Sequence, residues 1–72
     1  MYLNGSRAGV VKNHLHKLRK EQKLTQEQLA NKMEVTRQTI ISIERGKYTP
    51  SLPLALKIAK EFNKSVEEIF SL

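Results

Sequence analysis

From Val11 onward, apolar side chains recur at Val11, Leu15 and Leu18 among Lys12, Lys17, Arg19 and Lys20. That is the period of an amphipathic helix, and it predicts a first helix running from Val11 to near Gln22. Thr25 and Gln28 have the spacing of a capping box. They open a second helix that turns Leu29, Ala30 and Met33 inward. "MEV" reads as a tight turn, Thr36 as the cap of a third helix, and Gly46 as the left-handed residue that ends it. After a loop containing Pro50, Ser51 caps a fourth helix that carries Pro53 in its first turn. Its predicted buried stripe is Leu52, Ala55, Leu56, Ala59 and Phe62. Ser65 and Glu68 form a second capping box, heading a short last helix with Val66, Ile69 and Phe70. Residues 1–10 hold Gly5 and Gly9 without a helical period. They read as a flexible leader, a short ordered strand being the alternative. Residues 11–72 then form one all-α domain of five helices.

The third helix carries the most information. On a wheel of about 100° per residue, Ile40, Ile43 and Glu44 share one side, with Thr39 more loosely beside them. Arg37, Gln38, Ile41, Ser42 and Arg45 occupy the other. The first side seats the helix. The second offers a guanidinium, a primary amide and a hydroxyl near the helix N-terminus, the groups that read base edges. An ordinary solvated helix face also carries Arg and Gln, so the wheel alone leaves both readings open.

Charge sharpens the picture. The 72 residues carry a net charge of +6. Residues 1–47 hold ten basic and four acidic side chains, and residues 48–72 hold three of each. A basic part and a neutral part suit one face toward a polyanion and another toward protein. Basic helices are also simply soluble helices. The absence of cysteine excludes disulfides and thiolate metal sites and fits a reducing cytoplasm. No apolar run approaches the ~20 residues of a membrane span. His14 and His16 fall on different sides of a helix and are poor metal partners. With no Asp, no Cys and no Gly-rich phosphate loop, no catalytic constellation can be assembled, and no cofactor or small-molecule ligand is indicated.

The segment "LTQEQLANKMEVTRQTIISIERGK" is helix, short turn, helix, with Ala30 at the close crossing and Val35 anchoring the turn. With "LHKLRKEQKLTQEQLA" before it, and "ERGKYTPSLPLALKIAKEF" and "SVEEIF" after it, residues 12–70 resemble the lambdoid phage repressor and Cro (XRE) family of helix-turn-helix regulators. The resemblance implies a compact, five-helix, lambda-repressor-like DNA-binding domain and a sequence-specific regulator of transcription, a repressor in the first instance. The third helix would lie in the major groove of double-stranded DNA. Arg37, Gln38 and Ser42 would then occupy base-reading positions. Gln26, Thr36, Arg45, Lys47 and Tyr48 would sit at phosphate-contacting positions, Gln26 also bracing the first reading side chain. The family's pairing of a late first-helix Arg with a Glu at the end of the third falls on Arg19 and Glu44, which would orient the recognition helix. A homodimer is implied, with the last helix at the interface through Val66, Ile69, Phe70 and Leu72. Ile69 and Phe70 could instead close the monomer core, which leaves Leu72 the better candidate.

Two positions depart from the family pattern. Glu34 stands where the turn commonly holds Gly. A left-handed Glu34 would carry strain of about 1 kcal/mol, and any other geometry would shift the recognition helix. Ile41 projects outward where the family is polar. Both contact with a thymine methyl and an isolated surface apolar residue remain open. The rival class is a protein-interaction module on the same scaffold, such as a toxin-neutralising protein that represses its own operon. The chain leaves little tail beyond the last helix for gripping a toxin, and Arg37, Gln38 and Lys47 present nothing that repels phosphate.

Overall fold

The computed structural model describes residues 11–72. The expected leader, residues 1–10, lies outside the described residues. Five helices follow one another: α1 (Leu15–Glu21), α2 (Gln26–Met33), α3 (Arg37–Glu44), α4 (Leu52–Phe62) and α5 (Val66–Ile69). They enclose one core in which Leu15, Leu29, Ile40, Ile43, Ile58 and Ile69 are the largest fully buried side chains. Ala30 is buried between its neighbours, and the half-buried Val35 packs under the turn between α2 and α3.

The helix starts follow the caps. Thr25 with Gln28, and Ser65 with Glu68, form reciprocal capping boxes. The Ser65 amide donating to the Glu68 carboxylate holds that carboxyl below its ordinary value. Thr36 and Ser51 accept from the amides of Thr39 and Leu54. The stops share one device. After each of the first four helices the chain closes a Schellman motif around a left-handed residue: Lys23, Glu34, Gly46 and Asn63. In each, the amide of the left-handed residue and the next amide reach back to the carbonyls of the last turn, as in Glu34 to Asn31 at 3.2 Å and Val35 to Ala30 at 3.0 Å. Orphan carbonyls are thereby satisfied. Only Gly46 takes this conformation without steric cost.

The sequence-based expectation fails in three places. The first helix begins at Leu15, not Val11, because Lys12–Asn13 forms a strand, β1. It pairs antiparallel with β2 (Phe70–Ser71), Lys12 opposite Ser71 and Asn13 opposite Phe70. Asn13 Oδ1 accepts from the Leu15 amide at 3.0 Å and so starts α1. The last helix stops at Ile69, and Phe70 belongs to the ribbon. On α4 the inward stripe is Leu54, Ala55, Ile58, Ala59 and Phe62. Leu52 and Leu56 are 67% and 53% exposed. Leu54 and Ile58 hold the same i, i+4 spacing and satisfy the period equally well, so periodicity alone could not choose between the two stripes.

Glu34 is left-handed, at φ 62 and ψ 39. Its carboxylate receives Lys57 Nζ at 3.3 Å, but both side chains are largely exposed and such a pair contributes little. Lys57 also donates to the Met33 carbonyl at 2.9 Å, a bond independent of residue 34. Glu34→Gly should therefore stabilise the domain by up to about 1 kcal/mol, the relief of strain exceeding the added freedom of the unfolded chain. Urea unfolding would show it as a higher midpoint with an unchanged slope.

Candidate nucleic-acid interface

α3 rests on Ile40 and Ile43, both fully buried, and its far end is locked from below. Arg19 lies side-on to Glu44, with Nε to Oε2 at 2.6 Å and Nη2 to Oε1 at 3.3 Å, and its Nη1 donates to the Leu24 carbonyl at 2.8 Å. Both side chains are nearly closed off, 7% and 5% exposed. Gln26 Nε2 donates to Glu44 Oε1 at 3.1 Å. His16 Nδ1 stands 3.3 Å from the same oxygen and 3.1 Å from Arg19 Nη2. Burial pushes the Glu44 carboxyl upward. The hydrogen bonds from Arg19, Gln26 and His16, with the Arg19 charge, outweigh it and hold the carboxyl below its ordinary value. A further tie joins the helix end to the ribbon: Asn13 Nδ2 donates to the Ile43 carbonyl at 2.8 Å.

The opposite face is open. Arg37, Gln38 and Arg45 are exposed, and Ile41 and Ser42 are half-buried. These side chains do not form one continuous row. Gln38 and Ser42 line a shallow groove with Thr36, Thr39 and Tyr48. Arg37 instead borders a larger groove that also contains Gln26, Thr25 and the α1–α2 turn. Lys47 and Tyr48 follow the Schellman stop of α3, where both amides return to the Ser42 carbonyl, at 2.9 and 3.2 Å. Gly46 (φ 74) makes that return possible. Thr36 Oγ1 accepts from the Thr39 amide and lies 3.0 Å from Thr39 Oγ1, so its first duty is the cap. Gln26 has its amide nitrogen turned inward to Glu44 and lines the same groove as Arg37.

Two partners of the network were not legible as site residues, His16 and Asn13. Both precede or open α1, and nothing in helical spacing places them beside the end of α3. Among the described residues no group of three or more His, Cys, Asp or Glu side chains could hold a metal ion. No helix among them is long and apolar enough to cross a membrane.

The helix-turn-helix family model (HTH_3) matches residues 15–69, which is most of the chain. The chain belongs to this family. Members of this XRE-type helix-turn-helix family are DNA-binding transcriptional regulators, not enzymes. The chain is 58% identical over 60 residues to an uncharacterized HTH-type transcriptional regulator of Methanocaldococcus jannaschii, covering 83% of this chain and 91% of that protein. It is 39% identical over 59 residues to the immunity repressor protein of Bacillus phage phi105, covering 82% of this chain and 41% of that one. The fold matches the restriction-modification controller protein C.AhdI of Aeromonas hydrophila with a TM-score of 0.69 and 33% identity, over 76% of this chain and 83% of that chain.

Of the four residues expected at a helix-turn-helix dimer interface, Ile69 is wholly buried and Phe70 nearly so, both in the monomer's core. Ile69 closes the domain under α4, while Phe70 keeps one edge on an open apolar groove. Val66 is half-buried, and Leu72 is 87% exposed.

Proposed function

We propose that this protein is a cytoplasmic, sequence-specific repressor of transcription that binds double-stranded DNA as a homodimer, with α3 in the major groove. One observation carries this reading. An uncommitted polar face (Arg37, Gln38, Ser42) stands on a helix whose other face is fixed by two isoleucines and a buried ion pair. The helix that carries them is fixed, so docking need not order its backbone and their starting points are set relative to the groove, which favours discrimination between bases. Arg37 and Gln38 read bases, and Ser42 extends the Gln38 contact. Thr36, Arg45, Lys47 and Tyr48 hold the phosphate backbone, which positions without specifying. Gln26 braces Arg37, and its helix-terminal amide faces phosphate. The repressor assignment draws on the likeness to the phage immunity repressor.

The dimer reading moves to the apolar surface the monomer leaves uncovered. Leu52 and Leu56 lie one turn apart on α4. Leu52 also walls an open, mainly apolar groove with Val11, Pro50, Ala55, Val66 and Phe70. Leu72 follows directly on that groove's Phe70 strand. A second copy of the chain covers this face, which belongs to the charge-neutral half.

Selection of bound duplexes from a random DNA pool at two salt concentrations tests the reading. The expected result is an enriched two-fold symmetric site with half-sites about one helical turn, roughly 34 Å, apart. Leu56→Glu and Leu72→Glu, both at exposed positions, should leave thermal unfolding near wild type yet shift sedimentation to the monomer and weaken binding to the paired site. Binding with no enriched sequence would defeat sequence-specific regulation and direct the search to a protein partner.

A further inference from the structure

The last turn of α1 and the α1–α2 turn carry Lys20 and Lys23, whose ammonium groups neither the fold nor the recognition surface uses. Lys23 closes the Schellman motif of α1 at φ 59, a conformation in which every side chain except glycine is strained. Of the other two non-glycine residues in this role, Asn63 is of a type that tolerates the left-handed region, and Glu34 has only its exposed pairing with Lys57. Lys23 is exposed, and no hydrogen bond or ion pair engages its ammonium among the described residues; Lys20, one turn earlier, is alike. Both line the open groove of about 610 Å³ that Gln26 and Arg37 also border. Arg19 at its floor is consumed by Glu44. The groove therefore presents Lys20, Lys23 and Arg37 against one carboxylate, Glu27.

We propose that the end of α1 and the α1–α2 turn form a second DNA-backbone clamp, with Lys20 and Lys23 contacting duplex phosphates on the Arg37 side of α3. Lys47 and Tyr48 hold the backbone on the Gln38 side, so the recognition helix is gripped from both flanks. This rests on the reading of α3 as the major-groove element. Strain at Lys23 is retained because glycine, which would relieve it, carries no charge to that position.

The distinguishing variant is Lys23→Gly, because the two properties move in opposite directions. Its melting temperature should rise by several degrees while its affinity for duplex falls. Binding would be measured across a salt series, on the selected duplex and on a mixed-sequence duplex of equal length. The slope of log K against log salt should drop by roughly 0.9 per bound protomer, with affinity at 0.1 M salt weaker by about eightfold for each bound protomer on both duplexes. Lys20→Gln should give a similar loss without the thermal gain. Lys60→Gln on α4 is the control, removing the same charge away from this groove. Turn variants that match Lys60→Gln in slope, while wild type still prefers its selected site, overturn the clamp alone. Wild type that binds no duplex overturns the reading of α3 as well.

Discussion

Arg19→Ala should cost the domain a large part of its stability. The substitution strands Glu44, only 5% exposed, with Gln26 and His16 as its remaining partners. Breaking a buried pair from one side costs about 3–5 kcal/mol, against a whole stability of roughly 4–10 kcal/mol for a chain this short. Arg19→Lys should recover little, because a single ammonium cannot reach both carboxylate oxygens and the Leu24 carbonyl at once. Removing both charges, as Arg19→Met with Glu44→Leu, should be far milder than Arg19→Ala. Urea unfolding of the three variants gives the comparison, and an Arg19→Ala protein within about 1 kcal/mol of wild type would show that the pair is not what holds α3. The same pair sets an acid limit. The Glu44 carboxyl is held below its ordinary value, so its contribution is complete above the usual carboxylate range, near 4.3. It is lost as pH falls through the lowered folded value. In Glu44→Gln that part of the stability profile should flatten.

The second large effect concerns DNA. Arg37→Ala and Gln38→Ala should each relax preference at one or two base pairs, by about 1–3 kcal/mol at the affected position. Arg37 and Gln38 look into different grooves, so the two variants should relax different positions. Ser42→Ala should act beside the Gln38 position. Lys47→Ala should weaken every sequence about equally. A panel of single-base variants of the selected site, titrated with each protein, separates the two patterns; equal losses everywhere from all of these changes would remove the division between reading and positioning.

Much of this was legible because it is local. Both capping boxes, the Thr36 and Ser51 caps and the left-handed Gly46 depend on residues within one turn of each other. The wheel of α3 put Ile40 and Ile43 inward for the same reason. What was illegible depends on partners distant in the chain. Val11 continued the helical period, yet Lys12–Asn13 pairs with a strand some 58 positions away. The choice between Leu52 with Leu56 and Leu54 with Ile58 turned on which face α2 and α5 cover. Glycine marks one helix stop; Lys23, Glu34 and Asn63 make the same stop without announcing it. The place of Arg19 opposite Glu44 came from the family resemblance, whereas His16 and Asn13 beside them had no such guide.

The ribbon also fixes how the domain responds to mechanical load. Its strands run antiparallel, and Lys12 and Ser71 are paired at its outer end. The chain therefore enters and leaves the domain side by side. Tension applied across those two points pulls the ribbon apart like a zipper, one rung at a time, with no rung sharing the force of another. The next tie inward is Asn13 on the end of α3, then the His14 amide on the Ile69 carbonyl. A domain tethered this way opens from its seam, and the end of α3 is joined to that seam through Asn13.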